Sequence, residues 1–129
     1  MKKLIVALVL TSSVCSAQTQ AEMNQQAYAN FQKVDRELNE VYQKILTQYR
    51  QDTAFIKNLK ASQRIWIDFR NAELKMKYPD RKTELYGSIH PICRAAYLSE
   101  LTRERIQRLE TWLEGTEEGD VCAGSVIAR

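Results

Sequence analysis

From Ala27 to Tyr49 the apolar residues fall at Ala27, Phe31, Val34, Leu38, Val41, Tyr42, Ile45 and Tyr49, and no glycine or proline interrupts them. A spacing of three and four brings side chains onto one face only in an α-helix. The pattern predicts a first helix over about residues 20 to 50, with Thr19 or Asn24 near its cap. A helix this long gains its stability from burying that stripe, so it demands partner helices.

The rest of the chain supplies two. Gln51-Asp52-Thr53 is a short polar break in which Asp52 or Thr53 can cap a second helix over about 53 to 78, ended by Tyr78-Pro79 because the residue before proline leaves the helical region. So short a connection implies an antiparallel hairpin. Pro79 to Pro91 reads as a loop, with one helical turn around Arg81 to Tyr86. Pro91 suits the first turn of a third helix, capped near Ser88 or His90 and stopped by Gly115. Its apolar arc is Leu98, Leu101, Leu109, Trp112 and Leu113, with Ile106 at the edge. The expected fold class is all-α: a small bundle of three main helices with a long antiparallel helical hairpin and a C-terminal tail.

Polar residues interrupt two of these faces. In the second helix Phe55, Ile56, Leu59, Ser62, Trp66, Ile67, Phe69, Glu73 and Leu74 share an arc, and Gln63 and Arg70 fall near its centre. The third helix places Thr102 and Arg105 in the same way. An unpaired buried guanidinium costs several kcal/mol, so the arginines require company. Asp35 and Asn39, on the flank of the first stripe, together with Glu73 complete an expected interhelical network of Asp35, Asn39, Gln63, Arg70, Glu73, Thr102 and Arg105. As a catalytic acid–base site the same cluster is poor, because adjacent arginines hold both carboxylates ionised. Trp66 and Trp112, in line with aliphatic neighbours, read as core. Tyr28, Tyr78 and Tyr86 lie outside the stripes and are freer to bind something.

The ends give an address. Lys2 and Lys3, the apolar run Leu4 to Leu10 and the small residues Cys15-Ser16-Ala17 read as a secretory signal peptide over residues 1–17, leaving one domain over 18–129 in the periplasm. The apolar run is too short to span a bilayer, so no stable membrane insertion is expected after cleavage. Losing Lys2 and Lys3 lowers the net charge from +3 to +1, which gives no basis for binding nucleic acid. In an oxidising compartment the remaining Cys93 and Cys122 are expected to form a disulfide that pins the tail. His90 and Cys93 have H-x-x-C spacing but make half a zinc site at best, so no metal or other cofactor is expected.

Four motifs resemble the LprI-type lysozyme-inhibitor family of small exported bacterial helical proteins: Asp35-x-x-Leu38-Asn39-x-x-Tyr42, Gln63-x-x-Trp66-x-x-Phe69-Arg70, Gly87-Ser88-Ile89, and Leu101-Thr102-x-x-Arg105-x-x-x-Leu109. The resemblance implies an α-helical domain that inhibits lysozyme. The chain departs from the family in its cysteines: where members commonly have them, it carries Gln25 or Gln26, Leu74 and Tyr97.

Two functions stay open. One is inhibition of a lysozyme or other peptidoglycan hydrolase through Gly87 and Ser88 or through the acidic residues Glu114, Glu117, Glu118 and Asp120, since C-type lysozymes are basic and bind an anionic polymer. The other is a non-inhibitory helical binding module or accessory protein of the envelope. An enzyme is not expected, because the chain offers no nucleophile–base pair, metal set or phosphate loop.

Overall fold

The computed structural model describes residues 11–82 and 85–129, with side chains described from Thr19 onward. Most of the expected signal peptide, residues 1–10, lies outside the described residues, as do Thr83 and Glu84 of the expected loop turn. Three helices make up the fold: α1 (Thr11–Gln48), α2 (Thr53–Lys77) and α3 (His90–Glu114). Among the described residues there is no strand, only an isolated parallel bridge between Thr116 and Ala128. α1 begins well before residue 20 because nothing between Thr11 and Thr19 breaks a helix. Asp52 caps α2 by accepting a hydrogen bond from the Phe55 amide at 2.9 Å.

Contacts at the two ends set the helix directions. Gln20, early in α1, donates to the Ser88 carbonyl just before α3. At the far end Gln48 and Tyr49 donate to the carbonyl of Trp112, late in α3. α1 and α3 therefore run side by side in the same direction, with α2 antiparallel to both. The closest packing joins α1 to α3, which are not consecutive in sequence.

The composition of the facing stripes explains that closeness. α1 buries Val34, Leu38, Val41, Ile45 and Tyr49, while α3 buries Ala95, Ser99, Thr102, Ile106 and Leu109. The α3 set repeats every four and three residues, a seam of the coiled-coil kind, and its first three members are small. The Ser99 and Thr102 hydroxyls return their protons to the carbonyls of Ala95 and Leu98, at 2.8 and 2.6 Å, so neither is buried unpaired. The seam thus differs from the sequence expectation of a leucine-lined arc: Leu98 and Leu101 are half-buried at its margins, and Ile106 is central.

α2 closes the bundle with fewer fully buried side chains, Leu59, Gln63 and Leu74. Long side chains bridge from it to the other helices. Arg70 reaches Asp35 on α1 at 2.8 Å and the Thr102 hydroxyl on α3 at 3.1 Å through one nitrogen. Its guanidinium lies 5.6 Å from the Phe31 ring centre and 5.0 Å from that of Trp66, so the cation is held between aromatic faces. Arg105 donates to Gln63 at 3.0 Å and to Ser62 at 3.1 Å. Glu73 instead accepts from Tyr97 at 3.1 Å, and Asn39 is exposed and outside the cluster. Ile67 and Phe69, expected in the core, are exposed.

The expected disulfide does not form: Cys93 and Cys122 are both free. Helix length is the reason. Cys93 sits in the first turn of α3 and Cys122 lies beyond its last, so roughly 30 Å of helix separates the two ends, whereas a disulfide needs Cα atoms within about 7 Å. Hydrogen bonds hold the tail instead. The Thr116 amide donates to the Ile127 carbonyl and the Arg129 amide to the Thr116 carbonyl, at 3.0 and 2.9 Å. The Ile127 amide donates to the Tyr49 hydroxyl at 3.2 Å, and the Trp112 indole to Ser125 at 2.9 Å. Gly115, at φ 83°, starts this return, and a Cβ there would come within 2.7 Å of the Ile127 carbonyl oxygen.

Three outcomes follow for stability. Arg70→Met should lower the unfolding free energy by about 2 kcal/mol in urea titration, since it strands the polar partners of a partly buried cation. Asp35→Asn should cost less, because Asp35 is 39% exposed and water replaces its partner; equal losses would refute this division. Reductant should leave the melting temperature of the protein unchanged, whereas a fall of several degrees would reveal a disulfide.

Candidate functional site

The residues expected to bind a partner separate to opposite ends of the bundle. Gly87 and Ser88 lie beside the start of α3, whereas Glu114 is its last residue and Glu117, Glu118 and Asp120 follow its end. A helix of 25 residues spans about 37 Å, so these are two surfaces and not one.

At the first end the loop is packed by rings. Tyr86 stacks on His90 at 4.5 Å and meets Tyr78 edge-on at 5.9 Å, while its hydroxyl donates to the Pro79 carbonyl at 2.7 Å. Lys77 lies 3.8 Å from the centre of the Tyr97 ring. Tyr78 and Tyr86 are therefore engaged in holding the loop, while Tyr28 remains exposed. Burial first, then the hydrogen bond and charge of Glu73, push the Tyr97 phenol above its ordinary pKa, so it stays a donor to that carboxylate at neutral pH. His90 Nδ1 is buried without a partner. Among the described residues no three His, Cys, Asp or Glu side chains are grouped to hold a metal ion.

The second end contains a groove of about 440 Å³ between α2, α3 and the tail. Phe55, Leu59, Leu109 and Trp112 form its apolar walls, and Asn58 and Arg105 its polar ones. Phe55 packs on Tyr49 at 4.7 Å and stacks toward Trp112 at 6.2 Å, so the aromatic wall is rigid. Burial, and then the like charge of Arg108, lower the pKa of Arg105, yet a guanidinium remains a cation across the physiological range. This lining can stack on a ring and donate hydrogen bonds; it holds no nucleophile paired with a base. Sequence reasoning missed the groove, because it treats Trp112 as core and the walls come from helices about fifty residues apart.

At the same end of α3, Glu114, Glu117 and Glu118 are exposed. Arg70–Asp35 is the only ion pair among the described residues, so these acids are not neutralised by a neighbour. Asp120 has a different job. It accepts from the Cys122 amide and from the Thr116 hydroxyl, both at 2.9 Å, and the amide first and hydroxyl second hold its carboxyl below the ordinary aspartate pKa. A depressed folded-state pKa means that Asp120 supports the tail fully above the unfolded value of roughly 4 and loses that support as pH falls through the folded value. Acidification from pH 5 to pH 3 should loosen the tail around Trp112, read as a change in tryptophan emission. Asp120→Asn should show that change already at pH 7 and a flatter profile; identical profiles would exclude the role.

The structure is a three-helix bundle with an aromatic-walled groove at one end. No curated protein and no solved structure matches the chain. The model of the family described as Lysozyme inhibitor LprI matches residues 12–109, a span that covers the three-helix core and stops short of the tail. The chain belongs to the LprI lysozyme-inhibitor family.

Proposed function

We propose that the protein is a periplasmic inhibitor of a lysozyme or other peptidoglycan-cleaving enzyme, acting by binding, with residues 1–17 as a cleaved signal and 18–129 as the working domain. The observation that carries this reading is the family match over residues 12–109. Export fits the Lys2-Lys3 start and apolar run, and no described helix is long and apolar enough to cross a membrane.

The acidic end is the surface we assign to the enzyme. An enzyme that cleaves an anionic polymer carries cationic groups around its cleft, and Glu114, Glu117 and Glu118 offer unneutralised charge to them. These residues lie beyond the span matched to the family, so in this reading they tune which enzyme is bound. The second reading, a non-inhibitory envelope module, draws support from the groove, whose aromatic wall and Arg105 suit a wall-derived sugar.

Purified protein should slow the lysis of a cell-wall suspension by at least one of several lysozymes. Changing Glu114, Glu117 and Glu118 together to Gln should weaken inhibition about tenfold, mostly through slower association, with the fold intact by circular dichroism. Lysis unchanged at excess protein, with no complex on a sizing column, would overturn inhibition and favour the module.

A further inference from the structure

The groove between α2, α3 and the tail holds a cation that the chain does not neutralise. Arg105 lines it half-buried, and its guanidinium donates only to neutral oxygens, from Nε to Gln63 at 3.0 Å and from Nη2 to Ser62 at 3.1 Å. Among the described residues no carboxylate lies within ion-pair distance of it, and its Nη1 makes no hydrogen bond. Arg108 adds like charge beside it. Arg70, by contrast, has Asp35. Taking a guanidinium partly out of water without a counter-ion is costly, so the Arg105 end of the groove favours an anion.

The rest of the lining is rich in unused donors. Ser62 accepts from Arg105, and Ser125 accepts from the Trp112 indole, so each hydroxyl keeps its own proton for a ligand. The Asn58 amide, exposed and about one turn from Ser62 on α2, makes no hydrogen bond among the described residues. Alongside these groups stand the apolar walls, Phe55, Leu59, Leu109 and Trp112. Donors set around aromatic walls match a ring that carries oxygen at its edges and C–H groups on its faces, which is the form of a sugar. A purely apolar acid would leave the Asn58, Ser62 and Ser125 donors unpaired, a loss that an oxygen-rich ring avoids.

Charge also gives the groove a direction. Asp52 lines its other end, about 15 Å from Ser62 along the α2 axis. Its Oδ1 takes the Phe55 amide, which leaves Oδ2 to accept a hydroxyl proton. A ligand carboxylate would be repelled there, whereas beside Arg105 it gains a charge-assisted hydrogen bond. The volume of about 440 Å³ lies within the range of small-molecule sites, about 300 to 1,000 Å³.

We propose that this groove binds an acidic sugar, a pyranose ring packed against the aromatic wall with its carboxylate on Arg105. The inference deepens the wall-sugar reading of the groove and rests on it. It uses none of the acidic residues assigned to the enzyme, so sugar binding and inhibition hold or fail separately.

The probe is N-acetylmuramic acid. It is compared with N-acetylglucosamine, which has the same ring and acetamide without the carboxylate arm, and with benzoate, which has a ring and a carboxylate without hydroxyls. Titrated into the purified protein and followed by the Trp112 indole resonance in NMR, the acidic sugar should bind saturably and about tenfold more tightly than either. Asn58→Asp, on an exposed site, should weaken the acidic sugar about tenfold through like charge and change N-acetylglucosamine little. Arg105→Gln, with its fold checked by circular dichroism, should bring the acidic sugar down to N-acetylglucosamine. Equal binding of the two sugars would overturn the proposal and leave the wall-sugar reading standing, whereas binding of neither would overturn both. Benzoate bound as tightly as the acidic sugar, or binding indifferent to Asn58→Asp, would overturn the proposal as well.

Discussion

The near approach of α1 and α3 is the constraint from which the rest of this structure follows. Ala95, Ser99 and Thr102 let two long parallel helices come together along a seam with few bulky residues in its first half. Parallel neighbours need a long return between them, and α2 with the loop after it is that return. Because α1 and α3 already satisfy each other, α2 receives a less apolar berth. It is fastened by reach, through Arg70 across both partners and Arg105 back to Gln63 and Ser62.

That division of labour explains the placement of polar groups in the core. Arg70 is held by an ion pair, a hydroxyl and two aromatic faces at once, an arrangement that a lysine could not reproduce because its ammonium has no flat face to stack. Charge at this junction specifies which residues of α2 meet α1 and α3, where an all-aliphatic contact would allow α2 to slide by a turn. Arg70 and Arg105 thereby tie α2 to its neighbours at particular residues.

Helix positions were legible in the sequence because period and punctuation act locally: Asp52, Pro79, Pro91 and Gly115 each mark a boundary close to where the chain turns. Face assignments were less legible. Phe69 reads as core in the sequence because hydrophobicity alone does not say which of two apolar faces on one helix is turned inward, and it is exposed. Small residues carried the opposite error, since the seam of Ala95, Ser99 and Thr102 does not look apolar and yet is the most closely packed. Of the candidate site, the acidic residues could be read from composition, but the groove could not, as it exists only once α2, α3 and the tail are assembled. The expected disulfide failed because cysteine counting carries no lengths, and the length of α3 forbids it.

No covalent bond closes the tail among the described residues. Closed by backbone amides, the Tyr49 hydroxyl and the Trp112 indole, it is a latch whose lifetime is set by thermal fraying and not by redox poise. An arm held by hydrogen bonds alone can open locally without unfolding the bundle. Such an opening would carry Ser125, which lines the groove, away from Trp112. The tail thereby completes one side of the groove without belonging to either helix that forms the rest of it.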